Sequence, residues 1–398
     1  MALRVLLVME EVKCGGAELS FFALCRALAS RCEVHLAVSR RALEHAVLRD
    51  ACQSLSDTAV RIHYSAAPLN AGTLANLDRR LRAAGAGELG GIIAVARPDV
   101  ILVNLPTVER GQTVVDAAEL SSPRLPVWGF LHLSQQPSVI GAKLGSVRNL
   151  LVPRLIRRFD RLVTVSGAGS REVVERFGLP APDVIHPPTK GLSPLPPGSN
   201  RAQLRQAEGL PDRFLLGMVG RIQIHHKGHD AGLRVTQRLL SQGMDLQLVI
   251  VGDGPDRRSV QQMADRLGIA SAVRFLGWRD DVERLIPLLD AVLMPSRYEG
   301  LPQVAVQAVT AQVPVVGYSV GGLAELLPED FTARLGDEER IATIVSSVAR
   351  DPRRWRAREL ALRGAAWSDP GAGADRFLEL MSSAGLPRAK AASAVAAP

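Results

Sequence analysis

FLLGMVGRIQIHHKGHD, residues 214–230, is the stretch on which the fold turns. Phe214 to Val219 is a short apolar run, Gly220 ends it, and a helical pattern begins near Lys227. An apolar strand, a loop and a helix make one βα unit. The same alternation recurs from the N-terminus to about residue 340. Upstream strands are expected at Arg4–Met9, Glu33–Val38, Val100–Leu105, Val127–His132 and Leu162–Val165. Downstream strands are expected at Phe214–Val219, Leu246–Val251, Val273–Leu276, Ala291–Pro295 and Val313–Gly317. Repeated βα units build parallel sheets covered by helices, so the fold class is α/β with two sheets.

HPPTKGLSPLPPGSN, residues 186–200, separates the two halves, and its five prolines and two glycines stop helices and central strands. The expected organisation is a first domain over residues 1–188, a linker over 189–200 and a second domain over 201–366. A last helix over 367–385 is expected to return to the first domain, followed by a disordered tail over 386–398.

Composition narrows the class. With 398 residues, 47% hydrophobic and 22% charged, the chain can bury two ordinary cores, which excludes a disordered or fibrous protein. The opening run MALRVLLVMEEVK is short, is bounded by Glu10 and Glu11, and reads as a strand instead of a signal peptide. No stretch reaches the roughly 18 apolar residues of a membrane span. Cys14, Cys25, Cys32 and Cys52 lack metal-site spacing and fit a reducing, cytoplasmic setting. Of the net charge of +8, residues 1–190 supply +6, from 23 Lys and Arg against 17 Asp and Glu. Aromatic content is only 4%, so the stacking platform of a single-strand nucleic-acid binder is missing. The partners expected are anionic small molecules or an anionic membrane surface.

Chemistry concentrates where strands end. After the first strand, Gly15 and Gly16 precede a helical run, Ala17 to Ala29. Free N–H groups at a helix start favour a phosphate; taken alone, the glycine pair equally makes a plain sharp turn. In the second half, Arg221 leaves the strand end and Lys227 follows six residues later. A planar fork and a compact ammonium suit a diphosphate and can stabilise it as a leaving group. In MPSRYEGLPQVAVQAVTAQVPVVGYSVGGLAELL, residues 294–327, Glu299 falls in a post-strand loop and Gly300, Leu301 and Gln303 lie in the turn. Gln307 follows eight positions after Glu299. The Glu299 carboxylate suits sugar hydroxyls, the turn N–H groups suit phosphate, and Gln307 suits a ribose hydroxyl.

Together these segments resemble the retaining glycosyltransferases of family 4. The likeness runs through GGAE, DRLVTVS at 160–166, GRIQIHHKG, VGDGP, EGLPQVAVQA, VGGLAEL and the closing AWS. The resemblance implies the GT-B fold: two Rossmann-like domains facing a central cleft, an N-terminal one for the acceptor and a C-terminal one for a nucleotide sugar, with no cofactor and no required metal. It makes Arg221 and Lys227 the diphosphate ligands, Glu299 the ligand of donor-sugar hydroxyls, and sets Gly15 and Gly16 near the phosphates. It also sets His132, in VWGFLHLSQQP, beside the reacting sugar, a place where a purely structural histidine is the open alternative. Two departures stand out. Family members usually have Glu where this chain has Gln307, and an Asn-Gly where it has VIHPPTK, residues 184–190. The loops around Arg279 and Arg297 are expected to contact the donor base.

The activity implied is sugar transfer to a hydroxyl acceptor with retention, in lipid-linked glycan or polysaccharide synthesis. A nucleotide-sugar epimerase, a phosphorylase and a non-catalytic donor-binding subunit are the competing readings, because fold alone does not choose a chemistry. Residues 143–162, KLGSVRNLLVPRLIRRFDRL, are expected to form one amphipathic helix, with Arg154, Arg157, Arg158 and Arg161 on one face. Such a face either rests in solvent or holds the enzyme at an anionic inner-membrane surface.

Overall fold

Parallel strands are covered on both faces, so they need apolar residues at successive positions instead of alternate ones. Val5–Met9, Val100–Val103 and Leu248–Val251 are such runs, each fully or almost fully buried. In the computed structural model, which describes residues 3–10, 15–67, 69, 79–352, 364 and 367–387, they form the middle of two sheets.

The first sheet comprises β1 (Arg4–Met9), β2 (Glu33–Ser39), β3 (Val60–Ser65), β4 (Val100–Thr107), β5 (Val127–Leu133), β6 (Arg161–Thr164) and β7 (Asp183–Val184). Its strands are all parallel, in the order β3-β2-β1-β4-β5-β6-β7. The helices are α1 (Gly16–Ala29), α2 (Ala46–Ser56), α3 (Arg79–Ala96), α4 (Gln112–Ser121), α5 (Gly145–Ile156) and α6 (Gly167–Phe177). The second sheet comprises β8 (Phe214–Val219), β9 (Leu246–Val251), β10 (Val273–Gly277), β11 (Ala291–Met294), β12 (Val315–Tyr318) and β13 (Thr332–Ala333). It is also parallel, in the order β10-β9-β8-β11-β12-β13. Its helices are α7 (Arg201–Ala207), α8 (Ile224–Lys227), α9 (His229–Ser241), α10 (Arg257–Arg266), α11 (Val282–Leu285), α12 (Gln303–Thr310), α13 (Gly321–Leu326) and α14 (Glu338–Arg350).

The chain divides into two compact units, between Pro188 and Thr189 and again between Ser368 and Asp369. The C-terminal helix Pro370–Ser383 therefore belongs to the first unit, where Phe377 stacks on Trp128 at 6.0 Å and Asp375 pairs with Arg31 at 2.7 Å. Asp369 caps that helix by accepting from the Gly371 N–H, and Pro370 sits at the helix start, where its missing N–H costs nothing. Cys14 and positions 388–398 of the expected tail lie outside the described residues. Cys25, Cys32 and Cys52 are buried free thiols whose pKa burial raises, so they are packing residues and not nucleophiles.

The strands β3, β7 and β13 were not expected from the sequence. β7 and β13 have two residues each and β3 mixes Arg61, His63 and Tyr64 with its apolar positions, as sheet-edge strands do. The expected helix over 143–162 is corrected: α5 stops at Ile156, and Arg161 and Leu162 belong to β6. Two of its arginines are also spent on acids. Arg158 reaches Asp116 at 2.8 Å and Glu119 at 3.0 Å, while Arg161 pairs with Asp183 at 3.4 Å and lies over the Trp128 ring.

Candidate functional site

In an open parallel sheet, ligands bind beyond the carboxyl ends of the strands, at the point where successive connections run in opposite directions. The strand orders place that point between β8 and β11 in the second sheet and between β1 and β4 in the first.

At the second-sheet switch point the loops after β8, β11 and β12 meet backbone to backbone. The Arg297 N–H donates to the His226 carbonyl at 2.8 Å, and the Gly322 N–H to the Gly300 carbonyl at 2.8 Å. Gly228, at φ +67°, has no room for a side chain: a Cβ there would stand 1.9 Å from the Pro295 carbonyl oxygen. Gly321, at φ +50°, is in the same position against the Glu299 carbonyl, at 1.8 Å.

This contact brings Lys227 to Glu299. Nζ lies 2.6 Å from Oε1, with the two side chains 24% and 6% exposed. Burial by itself raises the Glu299 carboxyl, but the charge of Lys227 and hydrogen bonds from Lys227 and Ser296 outweigh it and hold it below the ordinary carboxylate value. The His226 ring stacks on Tyr298 with centroids 4.3 Å apart and planes almost parallel, at 6°. Burial, helped by the Lys227 charge, pushes His226 down to about 4, so it is neutral at pH 7.

Behind the pair sits a second ionic knot. Asp230, 8% exposed, accepts from Arg297 Nη1 at 3.0 Å and Nη2 at 2.7 Å, and from Arg234 at 3.1 Å. Burial opposes its charge, but these guanidinium bonds win and keep its carboxyl below the usual range. Arg297 also donates to the Ile224 carbonyl at 2.6 Å, so one side chain ties the β11 loop to the β8 loop. The arginines of both loops expected to contact the donor base are paired with acids. Arg297 is committed to Asp230 and the Ile224 carbonyl, and Arg279 is committed to Asp281 and Glu208.

The remaining expected residues of this unit lie around the pair. Arg221 follows β8, is exposed, and makes no ion pair among the described residues. Gly300 is buried, Leu301 and Gln303 are half-buried in the turn into α12, and Gln307 is half-buried on α12 itself. The start of α12 has no side-chain cap and follows directly on the loop that carries Glu299.

The first unit holds His132, Gly15 and Gly16. Gly15 caps α1 in an extended conformation that any residue could adopt, with no side chain capping the helix, and Gly16 is the first helical residue. At that sheet's switch point the Gly111 N–H, at φ +86°, donates to Glu10 Oε2 at 2.9 Å. His132 is the penultimate residue of β5, packs edge-on against Phe130 at 5.1 Å, and has Nε2 2.7 Å from Oδ1 of Asn104, a residue 1% exposed. With Nε2–H donating to that oxygen, Nδ1 is left as an acceptor. Desolvation of the half-buried ring pushes His132 down to about 3, so the imidazole is neutral.

Asp230, Tyr298, Gly321 and Asn104 carry this geometry and were not singled out from the sequence. Only the glycine pair in VGGLAEL had a legible signal, since adjacent glycines after a strand mark a close backbone approach.

Comparison with known proteins matches this geometry to one family. The family model described as Glycosyltransferase Family 4 matches residues 14–189, and that described as Glycosyl transferases group 1 matches residues 200–354. The chain is 30% identical over 202 residues to a 2-deoxystreptamine glucosyltransferase of Streptomyces kanamyceticus, covering 46% of this chain and 51% of that one. It is 32% identical over 222 residues to a GDP-mannose-dependent alpha-(1-6)-phosphatidylinositol monomannoside mannosyltransferase of Mycolicibacterium smegmatis, covering 49% and 57%. The chain thus spans about half the length of the curated relatives it matches. Among solved structures, Anabaena HepE with UDP and glucose has a TM-score of 0.76 at 21% identity, covering 96% of this chain and all of that one. Sucrose-phosphate synthase from Thermosynechococcus elongatus has a TM-score of 0.74 at 17% identity, covering 96% and 99%. Two parallel Rossmann-like sheets, each with its switch point, and matches to both halves of the chain agree: the chain belongs to the family 4, group 1 glycosyltransferases, with the GT-B fold.

Proposed function

We propose that this protein transfers a sugar from a nucleotide-diphosphate donor to a hydroxyl acceptor. The observation that carries the reading is the Lys227–Glu299 pair at the second-sheet switch point, with the exposed Arg221 beside it in sequence. A cation there neutralises phosphate oxygens, and a buried, ionised carboxylate accepts from sugar hydroxyls. The turn N–H groups of Gly300, Leu301 and Gln303 complete the phosphate cradle, and Gln307 takes a ribose hydroxyl. Gly15 and Gly16, at the start of α1, are further candidates for phosphate contacts. HepE binds UDP and UDP-glucose, and the mycobacterial enzyme depends on GDP-mannose, so UDP- and GDP-sugars are the first to try.

The proposed reaction retains configuration. The bond from the anomeric carbon to the β-phosphate oxygen breaks as the acceptor oxygen bonds on the same face, and the acceptor proton passes to the departing phosphate oxygen. Arg221 and Lys227 stabilise the charge that develops on the diphosphate, in place of a metal. His132, neutral and committed to Asn104 through Nε2, offers Nδ1 as an acceptor to a sugar hydroxyl; it holds the substrate and does not supply a proton.

Thermal shift and diphosphate release with UDP-, GDP-, ADP- and TDP-sugars test the reading, with Arg221→Ala and Lys227→Ala as controls. One donor should stabilise the unmutated protein and be slowly hydrolysed by it alone. Gln307, neutral where the family usually has an acid, favours a second reading, a subunit that binds donor without turnover. Binding with no release, even with varied acceptors, would select it.

A further inference from the structure

We propose that the outward face of α5 docks the protein on an anionic lipid bilayer. The inward face of α5 is ordinary: Val152 and Ile156 are fully buried. Its outward face is not polar, as a solvated helix face should be. Leu144, Val147 and Leu150 are 71%, 58% and 78% exposed and recur at a spacing of three, so they stand side by side. Leu144 also holds φ +53°, a left-handed conformation that suits glycine, at the helix cap. Exposing a large aliphatic side chain on strained backbone brings no gain in water, and the stripe gains only by meeting an apolar phase.

Charge on the same face selects the phase. Lys143, Arg154 and Arg157 are exposed and make no ion pair among the described residues, whereas Arg148 and Arg158 of the same segment are engaged by Glu109 and Asp116. From Val147, steps of three, four and three reach Leu150, Arg154 and Arg157, so two free cations and the aliphatic stripe interleave on one face, and Lys143 lies just before the helix start. From Ser134 to Arg158 the sequence has no acidic residue. Aliphatic groups that enter the acyl boundary, with basic groups at the level of the headgroups, describe an interfacial helix on an anionic leaflet. The unbroken helix read from the sequence over 143–162 is not needed; three turns suffice. In a βα unit the helix starts at the carboxyl edge of the sheet, so α5 begins on the edge where β5 presents His132. If the transferase reading holds, on which this consequence rests, the docked protein meets acceptors whose hydroxyls are carried by lipids.

Flotation with phosphatidylcholine vesicles, with and without about a third phosphatidylglycerol, tests the proposal. The protein should float only with the anionic vesicles and be released by salt. Lys143→Gln/Arg154→Gln/Arg157→Gln should weaken partitioning roughly 100-fold, at about fivefold per basic residue. Val147→Ser/Leu150→Ser should weaken it on the same vesicles while leaving the salt dependence in place. The thermal melt and the UDP-induced shift of both variants should equal those of the unmutated protein, so failed docking and a failed transferase reading register separately. No flotation, equal flotation with neutral vesicles, or unchanged binding by both variants would overturn the proposal. So would a dimer that Val147→Ser/Leu150→Ser abolishes without any vesicle binding, which would assign the face to a second copy of the chain.

Discussion

Lys227 and Glu299, 72 residues apart, are joined by a 2.6 Å ion pair in which the carboxylate is almost completely enclosed. Each is the other's partner before any ligand arrives, so each can be tested through the other. Lys227→Ala strands a buried carboxylate. Such a loss costs 3–5 kcal/mol for a fully buried pair, and roughly 2–3 kcal/mol here because Lys227 is a quarter exposed. Lys227→Ala/Glu299→Gln should regain most of that stability and none of the donor binding. Chemical denaturation of the three variants measures both.

The pH dependence of this pair has a definite sign. The folded-state pKa of Glu299 is depressed, so its stabilising contribution is present above the unfolded carboxylate pKa and is lost as pH falls through the folded value. The unmutated protein should therefore lose more stability than the Lys227→Ala/Glu299→Gln variant on going from about pH 5 to pH 3. Parallel acid melts would refute this.

His132 sets another acid window. Its pKa falls from 6.5 unfolded to about 3 folded, so the neutral ring stabilises the fold above pH 6.5 and progressively less below it. His132→Gln should flatten the decline in stability between pH 6 and pH 4, since each pH unit in that range is worth up to about 1.4 kcal/mol per site. Selective 15N-histidine spectra should show the Nε2–H tautomer with no titration above pH 5. Asn104→Asp should raise the pKa and make the ring titrate.

Gly228→Ala and Gly321→Ala each force a Cβ into a carbonyl of the neighbouring loop at a positive φ. Either should abolish the donor thermal shift, whereas Gly178→Ala, also at positive φ but with open space around it, should cost only about 1–2 kcal/mol and leave donor binding intact. The contrast separates loop geometry from general backbone strain.

Gln307→Glu adds a carboxylate where a neutral amide stands. A charged acceptor is worth about 1 kcal/mol more than a neutral one, so donor affinity should rise roughly fivefold by titration calorimetry. No change would place Gln307 away from the donor.

The sequence by itself determined the βα repeat, the break after Pro188 and the loops that carry chemistry, because these are local properties. Strand runs such as Leu246–Val251 need apolar residues at every position, and prolines at 187, 188, 194, 196 and 197 forbid regular structure wherever the chain goes. Of the edge strands only β10 was legible, since β7 and β13 owe their two-residue pairings to neighbours distant in the chain. The interior of the site was equally hidden. That Arg297 pairs with Asp230, that Asn104 holds His132, and that Arg158 is spent on Asp116 while Arg154 makes no ion pair among the described residues follow from contacts across 67, 28 and 42 residues. Charges that look alike in sequence are sorted by burial and partners, and only the tertiary structure supplies those.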